Sequence, residues 1–327
     1  MRRYLYETFH PDIYHGFGKK PPFFEGWYFK LVDATEQHRY AIIPGIFLAE
    51  DATQNHCFVQ VLNGTTGEAT YHAFPAEAFQ AHPEQFDVRL AQNRFQGDQL
   101  TLNIQDELLN IAGTIHFENR APFPVTLAAP GIMGWYGYIP FMECYHGVVS
   151  LDHTLNGSLT INGQSVDFTH GRGYIEKDWG QNFPSGYVWQ QTNHFHSPGT
   201  SLTASIAMIP FLNRTFPGFI IAFWHQGLLY RLATYTGAVT EKLQIDDDCV
   251  YWVVKDRNYR LEMTSQRTAG GLLHAPIRTE MHKRVDETMR STVGVRFTSL
   301  DGHVIFEGEG RNAGLEVHGD LAGLITG

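Results

Sequence analysis

Two short segments of this 327-residue chain place carboxylates among aromatic side chains, where acid chemistry could operate. The first is Phe23–Phe29, FFEGWYF, whose alternation as a strand puts Glu25, Trp27 and Phe29 on one face. If that face is interior, Glu25 loses its hydration, and we expect its pKa to rise. The alternative is a carboxylate at the exposed start of the strand, paired with Lys30 or Arg39.

The second acidic segment is Gly173–Phe183, GYIEKDWGQNF, which also has the pattern of a strand. Alternation places Tyr174, Glu176 and Asp178 on one face, with the two carboxylates about 7 Å apart. Such a pair can share a proton, or one carboxylate can tune the other. A solvated edge with a local ion pair to Lys177 is the alternative.

Further polar and aromatic side chains predict the wall of a pocket around these acids. Trp189, Gln191 and Asn193 share a strand face; if it is interior, the buried amides need partners such as the oxygens of a ligand, and the alternative is that the face points outward. The aromatic segment Gly131–Gly147 has the pattern of a loop that closes over a cavity and leads into a strand. The predicted binding residues are Trp27, Phe29, Trp135, Tyr174, Trp179, Trp189, Gln191 and Asn193.

The histidines are numerous, with 17 in the chain, but their spacing does not define a metal site. His194 and His196 form one HxH pair, and no third ligand with diagnostic spacing accompanies them. Phosphate loops, dinucleotide fingerprints and nucleophile elbows do not follow any predicted strand. We therefore expect neither a metal nor a cofactor.

Composition narrows the class of partner. The net charge is −10 and no basic stripe exists, which argues against nucleic acid. No run approaches about 18 apolar residues, so stable membrane insertion is not expected. A hydrophobic small molecule fits the 13% aromatic content, and transient contact with a membrane surface could deliver it. Three distant cysteines without CxxC spacing predict a reduced, cytoplasmic protein; the oligomeric state stays open.

Period-two alternation and turn signals predict an almost entirely β fold. Leu100–Phe117 and Gly157–Phe168 are typical of hairpins, the latter around a type I′ turn at Asn162 and Gly163. Glu77–Leu90 is the segment that favours a short helix.

The chain also contains a faint internal repeat. Phe24–Phe47 and Pro184–Phe211 each run from an aromatic strand through a polar turn to an apolar strand with Pro near its end. Two halves of this size suit a closed β barrel or a sandwich. We predict an internal duplication, with domains at residues 1–183 and 184–327.

The motifs FFEGWYF, at Phe23–Phe29, and YIEKDWGQNFPSGYVWQQTNHF, at Tyr174–Phe195, resemble those of the tocopherol cyclase family. APIRTEM, at Ala275–Met281, and GLEVHG, at Gly314–Gly319, are weaker matches in the same order. The resemblance implies two lipocalin-like β domains, in a superfamily shared with carotenoid hydratases.

The resemblance also implies a reaction, closure of a phenol oxygen onto a prenyl double bond to form a chromanol ring. A neutral carboxylic acid would protonate the alkene, with Glu176 as the first candidate and Glu25 as the second. Plant members carry Asn where this chain has Asp178, so Asp178 is expected to modulate the acid. Gln191 and Asn193 would hold the ring oxygens. A carrier of a hydrophobic quinol or terpenoid, and a hydratase or isomerase of such a substrate, are the alternatives.

Overall fold

The structure is a computed structural model that describes residues 2–211 and 214–325, and it consists almost entirely of antiparallel strands. The helical elements are α1 (Arg2–Thr8) and four 3₁₀ turns at Ala52–Gln54, Ala76–Ala78, Gly134–Tyr138 and Thr234–Thr236. The strands of the first sheet are β1 (Phe23–Val32), β2 (Arg39–Leu48), β3 (His56–Asn63), β4 (Glu68–Pro75), β5 (Phe79–Ala81), β6 (Asp87–Leu90), β7 (Asn93–Gln96), β8 (Gln99–Gln105), β9 (Asn110–Glu118), β10 (Cys144–Ile161), β11 (Gln164–Asp167) and β12 (Arg172–Gly180). Those of the second are β13 (Gly186–Thr192), β14 (Thr200–Phe211), β15 (Arg214–His225), β16 (Leu228–Ala233), β17 (Val239–Ile245), β18 (Cys249–Lys255), β19 (Tyr259–Gln266), β20 (Gly271–Pro276), β21 (Met281–Ser299) and β22 (Val304–Gly319).

The first sheet is ordered β4-β3-β2-β1-β12-β10-β9-β8-β7-β6-β5, with β11 paired to β10. Its strands curve around one core, since Phe29 of β1 contacts Phe95 of β7 with ring centroids 5.7 Å apart. Strands β1 and β12 lie in the middle of the order, so both acidic motifs occupy the most protected part of the sheet.

The second sheet is ordered β16-β15-β14-β13-β22-β21-β19-β18-β17, with β20 paired to β21. It also encloses its own core, where Phe219 of β15 meets Trp252 of β18 with centroids 5.9 Å apart. In both sheets the first strand lies beside the last, which is the arrangement that a duplication predicts. The predicted all-β class is confirmed.

Contacts divide the chain into two compact units. The first contains the described residues up to Phe183 together with Leu272–Arg284, and the second contains Pro184–Gly271 and the described residues from Val285 onward. Gln60 secures the late segment to the first unit, because its side-chain amide exchanges two 2.8 Å hydrogen bonds with the backbone of His274.

The local structure agrees with the sequence-based prediction at one turn and differs from it at one predicted helix. Asn162 and Gly163 have φ values of 49° and 81°, as the predicted type I′ turn requires. The helix expected at Glu77–Leu90 is wrong, because this segment forms the hairpin strands β5 and β6. Phe86, Val88 and Leu90 alternate into the core, so packing at period two outweighs local helix propensity. Among the described residues, no helix is long and apolar enough to cross a membrane.

Candidate active site

Strand β12 carries most of the candidate chemistry on its two faces. Ile175 belongs to the hydrophobic core of the first unit, and Lys177 lies on the same face by alternation. Tyr174 and Glu176 therefore lie on the opposite face, and Tyr28 is directly across from Glu176 in the register with β1. Side chains on both faces of this stretch are buried, and a strand is paired to each edge of β12.

On the face away from the core, four side chains form a continuous polar chain, which we call the His146 cluster: Tyr174, Glu176, His146 and Asp178. The Tyr174 hydroxyl donates to Oε2 of Glu176 at 2.5 Å. His146 comes from β10, paired to β12 opposite Asp178, and its Nε2 lies 3.4 Å from the same carboxylate oxygen. Its Nδ1 lies 2.9 Å from Oδ1 of Asp178. One imidazole thus bridges the two carboxylates that the sequence places at i and i+2.

The electrostatics of the cluster raise the pKa of His146. Burial lowers the pKa of His146, but the negative charges of Asp178 and Glu176 outweigh it and hold the pKa well above its ordinary value. The two carboxylates therefore favour the protonated, imidazolium form of the ring. Glu176 is only 4% exposed, whereas the Asp178 side chain is 30% exposed. The buried end of the cluster is Glu176 and the solvent end is Asp178.

Three members of the His146 cluster, namely His146, Glu176 and Asp178, form the one group of potential metal ligands found among residues 2–211 and 214–325. Their ligand atoms lie within 4.8 Å of one another. Each ring nitrogen of His146 faces its own carboxylate, so a cation bound by all three would have to displace the imidazolium proton and turn the ring. The cluster as it stands is a hydrogen-bonded ion-pair network.

On the core face of β12 lies a second group, the Lys177 cluster, formed by Lys177, Glu25 and His15. The Lys177 ammonium donates to Oε1 of Glu25, to the carbonyl of Ile13 and to Nδ1 of His15, the last at 3.0 Å. The other ring nitrogen of His15, Nε2, lies 3.2 Å from the carbonyl of Glu7. An Nε2–H tautomer of His15 donates to that carbonyl and leaves Nδ1 to accept from Lys177.

Aromatic rings surround this buried ammonium. Its Nζ lies 4.6 Å from the ring centroid of Trp27 and 4.8 Å from that of Trp179. His15 stacks on Trp179 with centroids 4.3 Å apart, and Tyr145 stacks at 5.3 Å. These cation–π contacts add to the three hydrogen bonds of an ammonium that has no exposed surface.

The expected rise of the pKa of Glu25 is wrong. Burial raises it, but Lys177 and the hydrogen bonds of His15 outweigh burial and hold the pKa of Glu25 below its ordinary value. The carboxylate also accepts from the His15 backbone amide at 2.9 Å. Glu25 is thus a fully paired anion on the face opposite Glu176, and it is not placed to share a cavity with that residue.

The other predicted residues of the first unit fall into three places. Trp27 and Phe29 are fully buried in the hydrophobic core, and the Trp27 indole donates to the carbonyl of Asp12 at 3.0 Å. Trp179 is half-buried against His15. Trp135, in the 3₁₀ turn Gly134–Tyr138, is 48% exposed and reaches neither cluster.

The predicted residues of the second unit lie on or beside β13. Trp189, Gln191 and Asn193 are all buried. Asn193 follows the end of the strand, and its Oδ1 lies 2.9 Å from Nδ1 of His194. His196 is exposed, so the HxH pair is split between an interior and a surface position.

Sequence reasoning gave no charge role to His146 or His15, and it paired Lys177 only with the acids of its own strand. His146 lies at the end of the segment Gly131–Gly147, where the predicted loop leads into a strand, and this strand is β10 from Cys144 onward. The sequence did contain a signal for His146. Tyr145, His146 and Gly147 stand at the start of an alternating segment, and a strand there places the imidazole in a sheet.

Comparison with known proteins agrees with the motifs. A family model described as tocopherol cyclase-like matches residues 122–319, more than half of the chain. The chain belongs to the tocopherol cyclase-like family. The described members of the His146 cluster all lie within the matched range, whereas Glu25 and His15 lie outside it.

Individual relatives are more distant. A probable chloroplastic tocopherol cyclase of rice (Oryza sativa subsp. japonica) is 28% identical over 120 residues, 36% of this chain and 26% of the rice protein. The chloroplastic tocopherol cyclase of maize (Zea mays) is 26% identical over 113 residues, 33% of this chain and 23% of the maize protein. The match therefore spans about a quarter of the length of these curated relatives.

Solved structures share the fold at low identity. Kievitone hydratase from Nectria haematococca superposes with a TM-score of 0.51 at 14% identity, covering 94% of each chain. CghA with Sch210972 superposes with a TM-score of 0.56 at 10% identity, covering 92% of this chain and 89% of that one. Both similarities support the lipocalin-like β architecture.

Proposed function

We propose that the protein is an enzyme that closes a phenol oxygen onto a prenyl double bond by protonating the alkene. The supporting observation is the His146 cluster, in which an imidazolium contacts a buried carboxylate that also accepts from a tyrosine hydroxyl. Membership of the tocopherol cyclase-like family supports a reaction of this type.

The reaction begins with the proton held on His146. Glu176 takes that proton from Nε2 and passes it to the less substituted =CH– carbon of the prenyl double bond, so that a C–H bond forms and the π bond breaks. The positive charge appears on the tertiary carbon, where the aromatic faces of Tyr28 and Tyr174 can stabilise it. Tyr174 fixes the Glu176 carboxylate by its hydrogen bond.

Ring closure returns the proton. The phenol oxygen attacks the tertiary cation, the C–O bond forms, and the phenolic proton passes to Glu176 and back to His146. Substrate and product are therefore isomers, and the acid is regenerated without a cofactor. Asp178 holds the imidazolium from the solvent side and modulates its acidity.

A hydratase is the second candidate, favoured by the 30% exposure of the Asp178 side chain, which gives water a polar approach to the cluster. The same cation would then be captured by water, and the product would gain the mass of one water molecule. A carrier of a hydrophobic quinol or terpenoid would bind without turnover.

One experiment separates these functions. Purified protein is incubated with prenylated hydroquinones, and mass spectrometry distinguishes an isomer from a product heavier by one water. We expect Glu176→Gln to lower turnover at least 100-fold, because the amide cannot deliver a proton although it still accepts from Tyr174. Glu84→Gln, at an exposed position of the same unit, is the matched control. Unchanged turnover in Glu176→Gln would remove Glu176 as the acid, and binding without any product would favour the carrier.

A further inference from the structure

The connection between β9 and β10 contains an exposed loop without charges. This uncharged loop, Ala121–Met142, has no Asp, Glu, Lys, Arg or His, although charged residues make up 18% of the chain. Loops between strands usually carry polar side chains, because they face water. Instead, this loop exposes Leu127 (81%), Phe141 (66%) and Trp135 (48%), and the first two are the most exposed large hydrophobic side chains among the described residues. Exposed apolar side chains that are grouped in this way indicate an interaction surface.

The loop has an inner and an outer set of apolar side chains. Phe123 and Ile132 are buried and anchor the loop in the first unit. The outer set, Leu127, Trp135 and Phe141, begins at a tight turn, where the backbone amides of Thr126 and Ala129 each donate to the other's carbonyl, at 3.0 and 3.1 Å. Leu127 therefore lies at the tip of a turn, with its side chain away from the core.

Tyrosine hydroxyls satisfy two backbone carbonyls of the loop. Tyr138 donates to the carbonyl of Leu127 at 2.6 Å, and Tyr145, at the start of β10, donates to that of Ile139 at 2.5 Å. The first bond also joins the Leu127 turn to the 3₁₀ turn that carries Trp135. A backbone carbonyl without a partner is costly in an apolar medium, as is a charged side chain. Because neither cost arises at these positions, the outer set can leave water for an apolar environment.

The composition and size of the outer set favour a lipid partner. Trp and Tyr are enriched at membrane–water interfaces, where an apolar ring and a polar edge both find partners. A stable protein–protein interface takes about 20–30 residues from each side, whereas the outer set consists of three large side chains. The net charge of −10 disfavours an anionic bilayer, so a zwitterionic surface fits this protein better.

The uncharged loop also forms one wall of an open cleft in the first unit, with a volume of about 470 Å³. Pro130, Met133 and Gly137 of the loop line this cleft, and Trp179 and His146 line it elsewhere. His146 is a member of the cluster that holds the proposed acid. A hydrophobic molecule that leaves a bilayer at the loop would therefore enter a cleft that borders this cluster.

We infer that the uncharged loop docks the protein on a zwitterionic lipid bilayer, with Leu127, Trp135 and Phe141 at the boundary between head groups and acyl chains. Docking of this kind brings the cleft to the lipid, so that a prenylated substrate dissolved in the bilayer reaches it without crossing water. That use of the surface rests on the proposed function. The docking itself depends only on residues of the first unit.

The test measures co-sedimentation of the protein with sucrose-loaded vesicles of pure phosphatidylcholine. We expect wild type to sediment with the vesicles and Leu127→Asp to lower the partition coefficient about 10-fold or more, because the burial of a leucine is lost and a carboxylate would have to lose its hydration. Leu108→Asp is the matched control. Leu108 is 60% exposed in the turn between β8 and β9 of the same unit, beside Asp106 and Glu107, and its substitution should leave binding unchanged. Both leucines are exposed, so both variants should keep the Tm of the wild type.

Tryptophan fluorescence supplies an independent readout. Phosphatidylcholine with brominated acyl chains quenches a tryptophan that contacts those chains. We expect the vesicles to quench wild type, and this quenching to be lost in Trp135→Phe, which still sediments because phenylalanine keeps most of the apolar surface. Quenching that is the same in Trp135→Phe and in wild type would place another part of the protein against the lipid and would overturn the inference.

Other outcomes also overturn the docking surface. Wild-type protein that stays in the supernatant would do so, as would equal losses of binding in Leu127→Asp and Leu108→Asp. If Leu127→Asp instead changes the oligomeric state of vesicle-free protein in size-exclusion chromatography, the loop is a contact between copies of the chain.

The result is separable from that of the proposed function, because sedimentation requires no substrate. If wild type binds the vesicles through Leu127 but forms no product from prenylated hydroquinones dissolved in them or in detergent, the docking surface stands and the proposed function fails. If product forms in detergent while wild type does not bind the vesicles, the proposed function stands and the docking surface fails.

Discussion

The Lys177 cluster allows a quantitative prediction for Lys177→Met. Lys177 and Glu25 both have fully buried side chains, so neither charge has a hydration shell in the folded protein. Methionine keeps most of the volume between Trp27 and Trp179 but removes the counter-ion of Glu25. Breaking a buried pair from one side typically costs about 3–5 kcal/mol, because an uncompensated charge remains.

The penalty should depend on pH in a definite direction. In the wild type the pKa of Glu25 is lowered, so its contribution to stability is present above its ordinary value near 4.5 and is lost as the pH falls through the lowered value. Without Lys177, burial favours the neutral acid. We therefore expect the Lys177→Met penalty to be largest near pH 7 and to shrink below about pH 5.

The assay is urea unfolding followed by tryptophan fluorescence at pH 7 and pH 4.5. Lys255→Met is the control, since Lys255 forms an exposed pair with Glu241 at 2.6 Å and should cost at most about 1 kcal/mol. Adding Glu25→Leu to Lys177→Met should recover most of the loss, because no buried charge then remains. A penalty that stays constant with pH, or that the second substitution does not relieve, would refute the electrostatic explanation in favour of packing.

Two further predictions concern the strands that carry the His146 cluster. For His146→Gln, turnover should fall about 10- to 100-fold, and the alkaline limb of the wild-type rate profile should change with it. Because the pKa of His146 is raised, its contribution to stability is full below about pH 6.5 and declines as the pH rises through the folded value. The stability lost in His146→Gln should therefore be larger at pH 6 than at pH 10 in urea unfolding, and a loss that grows with pH would contradict this. Gly180→Ala should cost about 2–4 kcal/mol, since Gly180 has φ of 154° and an added Cβ would lie 2.2 Å from the carbonyl oxygen of Glu143; a Tm equal to that of the wild type would contradict it.

The sequence by itself determined the all-β class and which candidate side chains share a strand face, although it did not determine the hairpin at Glu77–Leu90. Period-two alternation placed Glu25 with Trp27, and Glu176 with Tyr174, because a strand sends successive side chains to opposite sides whatever it pairs with. The Asn162–Gly163 turn was equally local, since it depends on backbone conformations that those two residue types allow. The family was also readable, because its motifs are short and contiguous.

Only the tertiary structure decided the charges of the candidate acids. Lys177 reaches Glu25 from 152 residues away, and His146 reaches Asp178 from 32. Both meetings depend on which strands flank β12 and in what register. A pKa depends on every charge within a few ångströms. Alternation along one strand could place Glu25 in the interior, but it could not show that the Lys177 ammonium is buried beside it. The motif at Phe23–Phe29 therefore contributes Glu25 to a buried ion pair with Lys177. The proposed acid, Glu176, lies on the other face of the same sheet.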